Sequence, residues 1–250
     1  MIKNILLFPY RFYAIVIFFL LSSIMMLAFV IGFNLFPGER GERLVHKLTA
    51  VWAKLTFIVL FIRARIKNKN IIDTNRQYVF ISNHRSLLDV PTWALSCGNF
   101  LKYLSKEELT KAPVFGYVIK RMYVTVQRSD RGDRYRSIEK MRNALRNGIS
   151  IFLAPEGTRN KTKQTILEFK DGAFRLALLE QKPIAILALY NSDKLMHPSN
   201  PLSLQPGTIY GEWCAIMDTT GLTEDDLPKI KSEAYAIMEK SYNQMKAQHQ

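Results

Sequence analysis

Residues 12–36 run 25 positions without a charged side chain, enough for a helix to span the ~30 Å hydrocarbon core of a bilayer. Lys3 and Arg11 precede the run, as basic residues do in a signal peptide. The run is much longer than a signal h-region and lacks a small-x-small exit, so a retained membrane anchor is expected. Next, Leu44, Leu48, Val51, Leu55, Ile58 and Ile62 recur at steps of four and three, with Lys47 and Lys54 between them. This is the period of an amphipathic helix, whose apolar stripe suits a membrane surface or a domain core equally.

From about residue 66 the period changes. Residues 78–82, 123–127, 150–154 and 184–189 are short apolar runs of the kind that form strands buried on both faces. Helical stretches lie between them: 88–95, one opened by a Ser105-Lys-Glu-Glu108 capping box, 135–146 ending at Gly148, 172–181 with Asp171 placed to cap it, and a closing helix over 228–246. The alternation predicts an α/β fold. The parse is a single mixed-sheet domain flanked by helices over residues 66–250, preceded by a membrane-embedded two-helix segment over 1–65. There is no internal repeat, low-complexity tract or long linker.

Charge sharpens the picture. Thirty-five Lys and Arg against 21 Asp and Glu give a net +14, which points to an anionic partner or boundary, nucleic acid or membrane. Eight of these cations, from Arg40 to Lys69, follow the apolar run, whereas only Lys3 and Arg11 precede it. The positive-inside bias therefore places the chain after residue 40 on the cytoplasmic side of a cell membrane. Nucleic acid becomes the weaker explanation, since no recognition motif accompanies the charge. Cys97 and Cys214 are too few for a disulfide-stapled module and too far apart for a metal knuckle, so both are expected to be small packed side chains.

Candidate chemistry clusters behind two of the strands. His84 and Asp89 follow the 78–82 run, where α/β folds build sites. Five residues apart on one continuous helix they would point about 140° away from each other. With His84 in a turn and Asp89 in the first helical turn beyond it, the carboxylate can hold one ring nitrogen as N–H and leave the other free to accept a proton. The second stretch is Ala154-Pro-Glu156-Gly157-Thr158-Arg159. Its guanidinium, hydroxyl and glycine backbone suit an anion, although a turn in which Glu156 and Arg159 pair with one another has the same sequence. Arg128, at the end of the 123–127 strand, and Lys106 are further candidates for that rim. Residues 120–146 hold nine Lys and Arg against three acids and read mostly as solvated surface. No Gly-x-Ser-x-Gly elbow, Walker A loop or Gly-x-Gly-x-x-Gly turn occurs. His46, His197 and His249 have no neighbouring ligand residues, so no metal is implied.

Together these residues resemble the glycerolipid acyltransferase family, whose best-known activity is 1-acylglycerol-3-phosphate acyl transfer. Asn83-His84 with Asp89 resembles its first block, residues 116–128 the second, Pro155-Glu156-Gly157-Thr158-Arg159 the third, and Lys182-Pro183-Ile184 the fourth. Ala154 stands where Phe is common, and Ile186 where a second Pro is usual. The resemblance implies direct transfer from an acyl-CoA or acyl carrier protein thioester, a co-substrate and no bound cofactor, to the hydroxyl of lysophosphatidic acid. His84 would be the general base and Asp89 its partner. Glu156, Gly157, Thr158 and Arg159, with Arg128 and Lys106, would hold the acceptor's phosphate. Another lysolipid acceptor, or a non-catalytic membrane lipid-binding protein of the same fold, is the alternative.

Overall fold

The computed structural model describes residues 7–112, 115–127 and 129–249. Helices α1 (Phe8–Leu35) and α2 (Glu39–Val59) come first, joined by the turn 36–38. There follow β1 (Ile62–Lys67), β2 (Val79–Ser82), α3 (Asp89–Ser96), β3 (Leu101–Lys106), α4 (Gly116–Met122), β4 (Val124–Val126), α5 (Arg131–Arg146), β5 (Ser150–Leu153) and α6 (Gly172–Glu180). The chain closes with β6 (Ile184–Tyr190), the single-turn α7 (Ser192–Leu195), β7 (Gly207–Met217) and α8 (Leu227–His249). The strands form one sheet in the order β1-β7-β6-β2-β5-β3-β4. Strands β6, β2, β5, β3 and β4 are parallel to one another, whereas β7 runs antiparallel to β6 and parallel to β1, so the sheet is mixed as expected.

Strands β2, β5 and β6 are buried at every residue, which is why their sequences read as unbroken apolar runs. Alternate side chains serve different layers. Val79 and Ile81 pack with Leu145 of α5, Phe174 of α6 and Met238 of α8. Tyr78 and Phe80 face the other way, onto Trp93 of α3, Phe152 and Trp213. Each large apolar side chain so enclosed contributes about 1.5–3 kcal/mol. Strands β1, β3 and β7 were not evident from the sequence because none of them is buried throughout. In Ile62-Arg-Ala-Arg-Ile-Lys67, for example, side chains of opposite character alternate, and Ile62 belongs to this strand instead of ending the apolar stripe of α2.

Two expected caps do not form. Ser105 lies in β3 opposite Thr125 of β4, and Lys106 ends that strand as an exposed residue, with a five-residue 3-10 turn after it. Asp171 sits at the start of α6 without a capping bond, and its carboxylate accepts from Lys231 Nζ at 2.7 Å. Helix α5 begins at Arg131, earlier than expected, because the Asp130 carboxylate accepts from the backbone N–H groups of Gly132 and Asp133.

Helix α1 is the one helix among the described residues long and apolar enough to cross a membrane. It docks on the protein along one edge through Ala14, Ser22, Met25, Phe29 and Phe33 and leaves Phe12, Phe19, Leu20, Ile24, Leu27 and Ile31 exposed. The close approach of α2 rests on Gly41, where a Cβ would lie 1.9 Å from the carbonyl oxygen of Phe36. The predicted stripe of α2 divides: Leu44 and Leu48 are half-buried beside α1, and its later residues face outward. Val51, Leu55 and Ile58 are 47%, 40% and 59% exposed, while Val45, Ala53 and Phe57 on the opposite flank are buried.

His46 pins α2 to the sheet side: its Nε2 lies 3.0 Å from the carbonyl of Asn99 and its Nδ1 is buried without a partner. Burial, with the Arg43 charge nearby, pushes the imidazole down to about 4. The unfolded chain, with an ordinary imidazole near 6.5, binds the proton that the folded chain refuses, so stability falls as pH drops from about 6.5 to about 4. Denaturant midpoints measured in detergent across this window should fall by the equivalent of up to about 3 kcal/mol, and His46→Gln should flatten that dependence.

Candidate active site

β2 and β5 are parallel neighbours, with Ile81 opposite Leu153, so the turns that follow them emerge at the same end of the sheet. At the end of β2 the side chain of Asn83 takes the place of a backbone rung. Its Nδ2 donates to the carbonyl of Leu189 at 2.8 Å, and its Oδ1 accepts from the Leu189 N–H at 2.8 Å. This amide satisfies β6 while the backbone leaves the sheet, which carries His84 out over the strand ends.

The turn then folds around one carboxylate oxygen. Asp89, the first residue of α3, is fully buried, and its Oδ2 accepts from the backbone N–H of Arg85 at 2.6 Å and of Ser86 at 2.7 Å. The same oxygen lies 2.9 Å from Nδ1 of His84. Two amide donors already address it and it can only accept, so Nδ1 carries the hydrogen. Nε2 makes no hydrogen bond to any described residue, and the side chain is 18% exposed. Trp93, one helical turn beyond Asp89, lies beneath the imidazole with ring centroids 5.1 Å apart and stacks on Phe152 at 4.9 Å.

The second turn braces the first. Glu156 is 2% exposed and directs Oε1 to the His84 N–H and Oε2 to the Leu167 N–H, each at 2.8 Å. Burial raises the pKa of its carboxyl group, and the two amides oppose that rise. Both oxygens are therefore engaged by backbone, which places Glu156 under the turn instead of at a phosphate, and its partner is not Arg159. Gly157 has φ +69° and a Cβ there would meet Lys170 Cγ at 3.3 Å, so this position favours glycine. Thr158 is exposed. Arg159 is half-buried, and its Nε is enclosed without a hydrogen-bond partner. A guanidinium N–H left in this way favours an anionic oxygen as its complement. The next residue, Asn160, donates its N–H to the carbonyl of His84 at 2.7 Å, which ties the Arg159 backbone directly to the histidine. Lys106 ends β3, two strands from β2 in the sheet, and Arg128 lies outside the described residues.

Three contributors escaped the sequence. Arg85 is buried, with Nε 2.8 Å from Asp193 Oδ2 and Nη1 2.6 Å from the carbonyl of Gln164 and 3.0 Å from that of Thr165, so it straps the 160–165 loop to the turn. Its position within the Asn83–Asp89 stretch was the available signal. Trp93 could have been found from its i+4 spacing to Asp89. Asn160 acts through its backbone, which no side-chain pattern reveals.

The acyltransferase family profile matches residues 63–189, and the chain belongs to that family. Among its relatives, the chloroplastic 1-acyl-sn-glycerol-3-phosphate acyltransferase BAT2 of Brassica napus is 30% identical over 174 residues, 68% of this chain and 50% of the relative. The human 1-acyl-sn-glycerol-3-phosphate acyltransferase beta is 24% identical over 217 residues, 82% of this chain and 74% of the relative. The chain thus spans about half the length of the plant protein. The crystal structure of PlsC, the 1-acyl-sn-glycerophosphate acyltransferase of Thermotoga maritima, superposes with a TM-score of 0.78 at 21% identity, over 98% of this chain and 97% of that one. At that identity the likeness establishes the fold.

Glu156→Gln replaces one acceptor oxygen by a donor and leaves a buried backbone N–H facing it. The expected loss is about 1–3 kcal/mol of unfolding free energy, read from denaturant midpoints, and an unchanged midpoint would show that the carboxylate does not brace the turn.

Proposed function

We propose that this chain transfers an acyl group from a thioester, carried by coenzyme A or an acyl carrier protein, to the free hydroxyl of lysophosphatidic acid, giving phosphatidic acid. The supporting observation is the His84–Asp89 pair with its unoccupied Nε2, linked through Asn160 to an Arg159 whose Nε lacks an acceptor. In the reaction, Nε2 takes the hydroxyl proton as that oxygen attacks the thioester carbonyl, and Asp89 stabilises the imidazolium. The tetrahedral adduct then expels the thiolate, which recovers the proton from His84. One C–O bond forms, one C–S bond breaks, and no group on the protein is acylated. Consistent with this, burial pushes the thiol of Cys97 up to about 12 and that of Cys214 up to about 11, which leaves both poor nucleophiles. The Ser86 hydroxyl is engaged with the carbonyl of Met196 at 2.8 Å.

Thr158 and Arg159 would hold the acceptor phosphate so that its hydroxyl meets Nε2, turning binding into orientation, and Gly157, whose N–H donates to the carbonyl of Ala154 at 3.0 Å, would shape the turn that presents them. Glu156 would serve by bracing the turn. Residues 1–65 would be the membrane-associated segment and 66–250 the catalytic domain, at the cytoplasmic face. The exposed sides of α1 and α2 favour seating at the lipid surface, because α1 is docked on the protein from Ala14 to Phe33. Delivery of the site to the interface avoids extracting the acceptor's chain, which costs about 0.8 kcal/mol per CH₂.

Membranes containing the protein, supplied with lysophosphatidic acid and a labelled acyl thioester, test the reaction. His84→Ala should lower the rate at least about a hundredfold, and full activity in that variant would discard the mechanism. Arg159→Ala should raise the KM for acceptor more than it lowers kcat, and an unchanged acceptor dependence would remove the phosphate role. Faster acylation of a lysolipid without phosphate would reassign the acceptor. Loss of an N-terminal tag to protease added outside sealed vesicles, with residues 66–250 protected, would show that α1 crosses the bilayer.

A further inference from the structure

Apart from Arg128, the cations of segment 120–146 have no part in the catalytic reading, and some of them stand around a cavity. About 380 Å³ of space lies between the start of β3, the start of β4 and the C-terminal turn of α5. Val124, Ala144 and Ile149 form its floor, and Lys102, Lys120 and Lys140 stand around it with the side-chain amides of Asn143 and Asn147. No acidic side chain lines it among the described residues. Lys102 has a partner, Glu42 of α2 at 2.9 Å, whereas Lys120 and Lys140 make no hydrogen bond or ion pair to any described residue, and the nearest acid to influence Lys140 is Asp133 on its own helix.

These lysines are not needed as helix caps. The final carbonyls of α5 already accept from the N–H groups of Asn147, Gly148 and Ile149, and the Ile119 carbonyl of α4 accepts from Tyr123. Two exposed ammonium groups beside an apolar floor suit an amphiphilic anion, whose charge they meet at the rim while its apolar part covers the floor. Its surroundings select a lipid. Arg121, next to Lys120, lies over the rings of Phe33 and Tyr117 at 5.0 and 5.3 Å, and so joins the cavity rim to the end of α1. There Leu35 and Phe36 are 68% and 47% exposed, continuous with the bare face of that helix.

The cavity also stands apart from the chemistry. Lys102 and Ile149 lie at the beginnings of β3 and β5, whereas His84 and Glu156 follow the ends of β2 and β5. We propose that this cavity is a second, non-catalytic site that takes the phosphate headgroup of an anionic membrane phospholipid and holds the far end of α1 at the lipid surface.

Detergent-solubilised full-length Arg159→Ala protein, in which the acceptor-phosphate position of the catalytic turn is removed, would be titrated with dihexanoyl phosphatidylglycerol, dihexanoyl phosphatidylcholine and inorganic phosphate. Phosphatidylglycerol should bind in preference to both. In the same background Lys120→Gln with Lys140→Gln should weaken it at least about tenfold, Lys120→Arg with Lys140→Arg should restore it, and Lys229→Gln with Lys246→Gln should leave it unchanged. Equal binding of phosphatidylcholine, equal binding of inorganic phosphate, or indifference to the Lys120/Lys140 pair would each overturn the proposal. With the Arg159 side chain intact, the Lys120/Lys140 variant should keep its kcat on short-chain substrates, so failure here leaves the catalytic reading standing and failure of the His84 test leaves this one standing.

Discussion

One oxygen of Asp89 organises the functional end of the molecule. A carboxylate removed from water carries a penalty of several kcal/mol unless donors replace its hydration, and here two backbone amides and the His84 ring converge on Oδ2 at the first turn of α3. The positive end of that helix adds to the same compensation. The donors that make burial tolerable are also the ones that hold residues 84–86 in a turn ahead of the helix. The orientation of the imidazole and the path of the turn are therefore one structure, and a change at Asp89 acts on both.

The parallel pairing of β2 with β5 supplies the second constraint. It delivers two turns to neighbouring positions, and they are then joined by side chain to backbone, Glu156 to His84, and by backbone to backbone, Asn160 to His84. Individual buried hydrogen bonds of this kind contribute only about 1 kcal/mol each. Their larger effect is positional, because they fix His84 through its N–H, its carbonyl and its ring at once. Arg85 extends the bracing outward by bonding Asp193 and the 160–165 loop. On the proposed reaction the site aligns an acceptor hydroxyl, a thioester and a base, and such an alignment gains most from rigidity that is present before either substrate arrives.

Much of this was legible from residue types and spacing, and the parts that were not share a cause. The doubly buried strands announced themselves because nearly every residue in them is apolar, Ser82 and Ser150 being the exceptions at their ends, while β1, β3 and β7 mix polar and apolar positions and so resemble loops or helix ends. His84 and Asp89 were readable because five residues cannot meet on one helix, which forces the turn. The role of Glu156 was not, since a carboxylate facing amides and one facing a ligand look the same in a sequence. Likewise, the period of α2 fixed the spacing of Val51, Leu55 and Ile58 but not the direction they face. Direction is a tertiary property, set here by the opposite flank of the helix, where Ala53 and Phe57 pack inward and Gly41 lets α1 come close.

That direction bears on how the site would meet the proposed lipid acceptor. Helix α1 is about 42 Å long at 1.5 Å per residue, and its contacts with the domain include polar ones: Tyr10 Oη donates to the carbonyl of Leu60 at 2.7 Å, and Trp52 Nε1 to Ser22 Oγ at 3.2 Å. A helix surrounded by lipid presents apolar groups on all sides, whereas this one gives a full edge to protein and the remainder to its surroundings. On the proposed reading, a helix held flat against the domain brings both ends of the sheet to the same surface. Phe61, at the end of α2, and Leu87, inside the catalytic turn, are 64% and 44% exposed. On that reading Leu87, in the turn that carries His84, stands where an acceptor's acyl chain enters, so that the chain remains in hydrocarbon while its hydroxyl reaches Nε2 from the aqueous side.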